Sequence, residues 1–473
     1  MELSSPSSHH KGLPWQKYTC LLSIIWIIIG HMRRLALTIL DQWKDRQDRL
    51  PLLIRGARQV GKTWLVREHA RSYDSFVEIN FESHPEYLDL FKLSYGKPEE
   101  LIKNISLLSG KKIDKGKTLL FLDEVQGSKE ALLSLRYFKE NLPEQHVIAA
   151  GSLLEFAFRD LSFPVGRIEF FHLFPMNFEE YLLAIGREDF VGAISEMDAR
   201  PIPTPVHEKL LEEVGLYGLL GGFPAVIKTY VESPESDTLQ RCQEVQQILM
   251  ASFREDFHKY ASKTNVEYLR ILFQGTPRLL GQKFKYSNID PHIKSRELSS
   301  ALNLLEQAGI IYKAYHSSAN GVPLESQIDP KKFKVFFLDI GLCQRVLGLH
   351  LSQLYLHRRE FLSHRGTMAE QFVAQEILSY TDKNQSPKIF YWHREARASQ
   401  AELDLLVEDK SYLLPIEVKS HKGNSLKSLF VFLQEKKTFI RTALRVSTLP
   451  YGIRDQIISM PCYGLMNWKK SGF

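Results

Sequence analysis

The feature that most constrains this chain is a glycine-rich loop at residues 56–63. The loop reads Gly56, Ala57, Arg58, Gln59, Val60, Gly61, Lys62, Thr63. The two glycines allow a tight turn whose backbone N–H groups can surround phosphate oxygens. The lysine can then reach the β- and γ-phosphates of a nucleotide, and the threonine hydroxyl can ligate Mg²⁺. We therefore predict that all eight residues bind ATP and that Thr63 is a magnesium ligand.

A second motif lies about sixty residues downstream, where an apolar run at residues 118–122 ends in Asp123 and Glu124. A buried strand that ends in two carboxylates is explained if Asp123 holds Mg²⁺ and Glu124 polarises the attacking water. An exposed acidic turn is the alternative. The next apolar run, residues 147–150, ends in Gly151 and Ser152. Ser152 is a candidate sensor of the γ-phosphate, although a simple strand-ending turn explains it nearly as well.

The same stretch alternates strand and helix patterns from residue 51 to residue 150. Such alternation is typical of a parallel sheet with helices on both faces, so we predict an α/β fold.

A group of charged residues near the C-terminus forms a third pattern. Glu402 and Asp404 alternate along one predicted strand, and Glu417 and Lys419 along the next. Pairing of the two strands would bring Asp404, Glu417 and Lys419 together, and Glu370 from the preceding helix could join them. We predict a metal site at Glu370, Asp404 and Glu417, with Lys419 acting on water. The alternative is the solvated face of a charged hairpin.

In this order, the motifs resemble AAA+-type P-loop ATPases of the bacterial and archaeal family that carries a C-terminal PD-(D/E)xK nuclease-like domain. Besides these motifs, the resemblance rests on Gly166-Arg167, Gly221-Gly222-Phe223-Pro224, residues 338–342 and residues 416–420. It runs from about Met32 to the C-terminus. The resemblance implies that Arg167 acts on the γ-phosphate, whereas a surface ion pair is the plain alternative. Ala150 departs from the family's threonine at that position.

The chain has 473 residues, too many for one hydrophobic core, so several domains are expected. The predicted division is an apolar N-terminal extension at 1–31, a P-loop ATPase domain at 32–185, a helical bundle at 206–262, a winged-helix-like segment at 263–350 and a small restriction-endonuclease-like α/β domain at 355–473.

The N-terminal extension contains an apolar run at residues 20–29, shorter than the roughly 20 residues that span a bilayer. We expect residues 1–31 to lie outside the fold, with Met32 as its start; an interfacial segment and a core helix are the alternatives. The cysteines at 20, 242, 343 and 462 are too scattered for a zinc knuckle and too few to staple such a chain. The predicted location is therefore cytoplasmic, with no membrane partner.

The charge balance bears on partners. A net charge of +6 leaves room for a nucleic-acid partner. One hypothesis is that basic residues of the winged-helix-like segment face phosphates; solvated surface charge explains them equally well, and winged helices also serve merely as packing units. These residues are Lys294, Arg296, Lys331, Lys332 and Lys334. The leading hypothesis is a Mg²⁺-dependent ATPase that acts on nucleic acid such as DNA through its nuclease-like domain. The alternative is a nucleotide-dependent switch whose C-terminal domain binds a protein or DNA without cleaving. A metabolic kinase is disfavoured, and an oligomer is compatible with both hypotheses.

Overall fold

The computed structural model describes residues 32–152, 154, 166–260, 264–358, 366–394, 401–409, 411–420 and 425–468. The predicted N-terminal extension, residues 1–31, lies outside this part of the chain. Helix α1 (Ala36–Asp45) comes first, and it buries Ala36, Leu40 and Trp43. Their spacing of three to four residues places them on one helical face, which belongs to the main apolar core, and the helix contacts the one at Lys62–Ala70.

Five strands form a parallel sheet in the order β2-β3-β4-β1-β5. They are β1 (Leu52–Arg55), β2 (Ser75–Asn80), β3 (Thr118–Asp123), β4 (His146–Ala150) and β5 (Glu169–His172). The connecting helices are α2 (Lys62–Ala70), α3 (Glu86–Leu93), α4 (Pro98–Ser109) and α5 (Lys129–Asn141). Strands β3 and β4 are buried along their whole length, as central strands covered on both faces should be. The predicted α/β class with a parallel sheet is confirmed.

Helices dominate the next part of the chain. They are α6 (Phe178–Ala184), α7 (Glu188–Ser195), α8 (Thr204–Leu220), α9 (Pro224–Glu232) and α10 (Thr238–Tyr260). Helix α8 stops at Gly221, which has a φ of 78°. A Cβ there would lie 2.2 Å from a carboxylate oxygen of Asp339, so only glycine allows this approach.

Eight strands form a second sheet in the order β12-β13-β11-β10-β9-β8-β6-β7. They are β6 (Ile311–Ser317), β7 (Ile328–Phe337), β8 (Ile389–His393), β9 (Glu402–Asp409), β10 (Tyr412–Val418), β11 (Ala443–Ser447), β12 (Gly452–Arg454) and β13 (Ile457–Pro461). Helices α11 (Val266–Gly275) and α12 (Ser295–Gln307) precede the β6–β7 hairpin. The hairpin is not a free wing, because β6 also pairs in parallel with β8. One sheet therefore crosses the predicted boundary between 350 and 355.

The remaining helices lie between strands of the eight-stranded sheet. They are α13 (Ile340–Val346), α14 (Leu351–Tyr355), α15 (Gly366–Tyr380) and α16 (Lys427–Glu435). The carboxylate of Glu376 on α15 accepts hydrogen bonds of 3.0 and 3.2 Å from the backbone N–H of Phe178. Just beyond α15, the carbonyl of Lys383 accepts one of 2.8 Å from the N–H of His172, at the end of β5. Residues of both sheets thus belong to one shared apolar core.

Among the described helices, none is by itself long and apolar enough to cross a bilayer. Helices α8 and α9 meet that criterion only as a pair, with a bend of 119° between them. Cys242, Cys343 and Cys462 are free and buried.

Candidate functional site

The glycine-rich loop joins the end of β1 to the start of α2. Gly56, Gln59 and Gly61 all have positive φ values, of 149°, 65° and 95°. A Cβ on Gly56 would lie 2.2 Å from the backbone oxygen of Leu173, so a larger residue cannot occupy this position without displacing the chain. The loop is therefore folded tightly, at the amino end of a helix, in the conformation that a phosphate-binding loop requires.

Lys62 is folded inside this loop and is 7% exposed. Its ammonium donates hydrogen bonds to the carbonyl oxygens of Gly56 (3.0 Å) and Ala57 (2.9 Å). Burial lowers the pKa of Lys62 to about 8, although the carboxylates of Glu124 and Asp123 act in the opposite direction. The loop therefore holds a cation enclosed by backbone oxygens, placed where phosphate oxygens can replace them.

Thr63 contacts the acidic end of β3. Its hydroxyl donates a hydrogen bond of 2.9 Å to Oδ2 of Asp123, which is 3% exposed. Burial raises the pKa of Asp123, and the hydrogen bond from Thr63 opposes this rise. A hydroxyl beside a carboxylate is the oxygen pair that Mg²⁺ prefers, so these residues fit the cation that accompanies ATP. Asn80, at the end of β2, adds an amide 3.4 Å from the same oxygen.

Glu124 follows Asp123 in a left-handed conformation, with a φ of 51°. Its backbone N–H donates to Oδ1 of Asp123 at 3.1 Å, and its side chain accepts from Nε2 of Gln126 at 2.5 Å. Strain of this kind in a residue without a glycine's freedom is typical of functional positions. Gln126 and Asn80 were not among the site residues predicted from the sequence. A polar residue at the end of β2, the strand next to β3, was the signal that could have identified Asn80.

Side-chain contacts with residues outside the first sheet hold the loop in place. Arg34 is 5% exposed and donates to the carbonyl of Val60 at 2.9 Å, while its Nε lies 3.1 Å from Glu180. Arg58 points away from the loop to Asp256 on α10, at 2.5 Å. Gln59 donates to Ser252 of the same helix at 2.9 Å. The loop is thus attached to the residues before α1 and to the helical region.

Ser152 lines a cavity of about 400 Å³ at the carboxyl edge of the first sheet. Gly56 and His172 form one wall of this cavity, and the turn after α12, including Gly309, forms another. Ser152 therefore lies beside the loop, and its role as a phosphate sensor stays a prediction.

The structure places Arg167 away from the loop of its own chain. Strand β5 pairs with β1 in parallel, with Glu169 opposite Leu52, so Arg167 lies beside the start of β1. The loop follows the end of β1, which is a four-residue strand about 13 Å long. Arg167 is half-exposed and pairs with Glu140 at 3.1 Å. Arg167 therefore forms the surface ion pair that was the alternative, and it does not reach the nucleotide site of its own chain.

The C-terminal charged residues do come together. Asp404 on β9 accepts a hydrogen bond of 2.8 Å from the backbone N–H of Val418, which neighbours Glu417. Glu417 is 2.7 Å from the ammonium of Lys419. Glu370, on α15, is linked to Asp404 through one shared partner, Lys334. Burial raises the pKa of Glu370 to about 8 and that of Glu417 to about 7, and the charge of Asp404 adds to both effects.

Lys334 is the residue whose role the sequence analysis missed. The prediction that it faces phosphate or solvent is wrong, because its side chain is 1% exposed. Its ammonium lies 2.9 Å from Glu402, 3.6 Å from Glu370 and 4.0 Å from Asp404. Burial by itself would lower the pKa of Lys334, but these three carboxylates outweigh it and raise the pKa.

The predicted metal site at Glu370, Asp404 and Glu417 does not fit a divalent cation in this arrangement. Within the described ranges, no group of three or more His, Cys, Asp or Glu side chains is arranged to hold one. The physical reason is that lysines already pair with the carboxylates, with Lys334 between Glu370 and Asp404 and Lys419 on Glu417.

Comparison with known proteins agrees with the first of these sites. Residues 48–182 match the family model of an AAA domain. Residues 211–353 and 365–463 match two domains of unknown function, DUF8612 and DUF4143. No curated protein matches the chain. The chain thus contains an AAA-type P-loop domain, followed by two regions whose families carry no assigned function.

Several solved structures are similar to parts of this chain. A Walker-type ATPase of Pyrococcus abyssi is 17% identical over 67% of this chain and 96% of its own, with a TM-score of 0.42. The Aeropyrum pernix ORC1 protein in complex with DNA is 14% identical over 68% of this chain and 92% of its own, with a TM-score of 0.25. A STAND protein of Pyrococcus horikoshii is 15% identical over 74% of this chain and 48% of its own, with a TM-score of 0.25. Similarities this low do not indicate what the present chain binds.

Proposed function

We propose that this chain binds ATP with Mg²⁺ in the glycine-rich loop, hydrolyses the nucleotide, and passes its nucleotide state to the eight-stranded sheet. The observation that carries the proposal is the hydrogen bond between Thr63 and Asp123, next to the enclosed ammonium of Lys62. A bound nucleoside triphosphate and its cation require such a group: a lysine for the phosphates, and a hydroxyl and a carboxylate for the cation.

Each residue then has a separate task. The loop N–H groups and Lys62 bind the phosphates, and Thr63 and Asp123 would hold the cation. Mg²⁺, when bound, supplies neutralisation of the phosphate charge. Glu124 orients and polarises the water that attacks the γ-phosphate, and Gln126 holds that carboxylate in place through its 2.5 Å hydrogen bond. The left-handed backbone of Glu124 turns its side chain off the line of β3.

Direct contacts support communication from the loop to the second sheet. Arg58 pairs with Asp256 on α10, and the neighbouring Phe257 packs edge-on against Phe273 of α11, at 5.5 Å between ring centres. Phe273 in turn packs at 5.3 Å against Phe337 of β7. This chain of packed side chains would give a shift of the loop a physical route to the C-terminal region.

Metal-dependent cleavage of nucleic acid, for which a DNA partner would be required, is the second candidate. The convergence of Glu370, Asp404, Glu417 and Lys419 favours it, because this is the residue set of PD-(D/E)xK nucleases. The buried lysine among the carboxylates favours instead a C-terminal region that binds a partner without cleaving. We therefore rank the nucleotide-dependent switch first.

Parallel assays of one preparation distinguish the two candidates. The full chain is incubated with ATP, Mg²⁺ and end-labelled DNA, and phosphate release and strand scission are both measured. If the chain is a nucleotide-dependent switch, phosphate is released while the DNA stays intact, both in the wild type and in Asp404→Asn. Scission by the wild type that disappears in Asp404→Asn would instead establish the nuclease.

A further inference from the structure

The second sheet contains a buried cation that belongs to the chain itself. Lys334 lies on β7, and its side chain is almost completely enclosed. The ring of Tyr391 covers the ammonium at 5.4 Å from the ring centre. Glu402 is its nearest carboxylate, at 2.9 Å. A buried ammonium is tolerated only where opposite charges compensate it, and this one has three carboxylates within 4.0 Å.

Most carboxylate oxygens of the cluster face a lysine or a backbone N–H, whereas Oε2 of Glu370 and Oε2 of Glu417 are buried without a hydrogen-bond partner. Oδ2 of Asp404 accepts the N–H of Val418, and its Oδ1 faces Lys334. Oε1 of Glu417 pairs with Lys419. The two oxygens of Glu402 are divided between Lys334 and Lys283, the latter at 3.2 Å. Mg²⁺ and Mn²⁺ need several oxygens close around them, which here would require breaking these pairs.

The surroundings of Glu370 restrict access as well. A Cβ on Gly281 would lie 2.7 Å from Oε2 of Glu370, so the backbone of Gly281 packs closely over this carboxylate. On the side of Asp404, the ammonium of Lys334 lies 4.0 Å from the carboxylate. A divalent cation placed between Glu370 and Asp404 would repel that ammonium at short range, in an environment that water screens poorly.

We propose that Lys334 takes the place of a divalent metal ion in the C-terminal carboxylate cluster, joining β7, β9 and α15 through ion pairs that exclude Mg²⁺ and Mn²⁺. This cluster is a permanent internal connection between the β6–β7 hairpin and the C-terminal strands. It carries no metal-dependent chemistry. The inference concerns the second sheet alone and does not depend on ATP binding or hydrolysis by the loop.

The test uses Mn²⁺ as the probe, on the nucleotide-free full chain, with bound and free ion distinguished by electron paramagnetic resonance. The wild type and Asp404→Asn should give superimposable titrations, because the wild type has no site that depends on Asp404. Lys334→Met should gain one site, binding Mn²⁺ at least tenfold more tightly than the wild type does. That site should be lost again in the double variant Lys334→Met with Asp404→Asn.

Lys332→Met is the matched control, since Lys332 lies on the same strand with its side chain 42% exposed; it should gain no site. A wild-type site that Asp404→Asn removes overturns the proposal. So does a folded Lys334→Met that gains no site, because Lys334 is then not what excludes the ion. If Lys334→Met fails to fold, the comparison of the wild type with Asp404→Asn still decides. Phosphate release from ATP is measured separately, so its loss would count against the proposed function and not against this inference.

Discussion

Thr63 donates its hydroxyl hydrogen to Asp123 across 2.9 Å, joining the first turn of α2 to the end of β3. The two residues are 60 positions apart in the chain, and each belongs to a different motif. Their contact joins the glycine-rich loop and the acidic end of β3 into a single site.

Arg34 should be essential for the shape of the loop. Replacing it with methionine removes the hydrogen bond to Val60 and leaves the buried carboxylate of Glu180 without its cation. Breaking a buried pair in this way costs about 3–5 kcal/mol, so we expect a lower melting temperature and weaker ATP binding. Arg33→Met, at an exposed neighbour, is the control. Unchanged thermal stability and affinity in Arg34→Met would contradict this role.

ATP binding should depend on the protonation of Lys62. Burial lowers its pKa to about 8 in the free chain, and bound phosphate favours the ammonium, so the pKa rises on binding. As the pH rises from about 7 to about 9, affinity should fall and each binding event should take up an increasing fraction of a proton. Calorimetry near pH 8.5, in buffers with different ionisation enthalpies, measures this uptake. Lys62→Arg stays charged and should show none; equal uptake in both would assign the proton to another group.

Arg167 should not affect nucleotide binding within one chain. Arg167→Ala is expected to bind ATP as the wild type does, because the side chain lies at the opposite edge of the sheet from the loop. Arg136→Ala is a close control, since Arg136 pairs with the same carboxylate, Glu140, at 2.9 Å. Both variants are compared by fluorescence titration at low protein concentration. A tenfold loss of affinity confined to Arg167→Ala would show that the arginine reaches the nucleotide of its own chain.

The contact between Arg58 and Asp256 should carry the nucleotide state into the helices. With ATP bound, hydrogen exchange in α11 should slow in the wild type. In Asp256→Asn this protection should be reduced, while ATP affinity changes by less than about threefold, because Asp256 lies outside the phosphate site. Glu255→Gln changes the exposed neighbour and should behave as the wild type. The same protection in Asp256→Asn and wild type would rule out this contact as the route.

The parts that the sequence predicted correctly are local in the chain. The loop, the apolar strands and the acidic strand end each occupy a few consecutive residues, so their patterns are complete without knowledge of the fold. Arg34 could not be identified in this way, because its partner Glu180 is 146 residues distant. Lys334 was misjudged for a similar reason. It lies in a hairpin assigned to one domain, and its burial results from pairing of that hairpin with the next region.

The central claim is that the glycine-rich loop binds and hydrolyses ATP, and phosphate release by the full chain tests it most directly. Release is measured with Mg²⁺ for the wild type, Lys62→Ala and Glu124→Gln, alongside ATP affinity by calorimetry. Lys62→Ala should lose binding or hydrolysis. Glu124→Gln should keep binding and hydrolyse about 10²–10⁴-fold more slowly, the usual contribution of a general base. Wild-type rates in both variants would contradict the account.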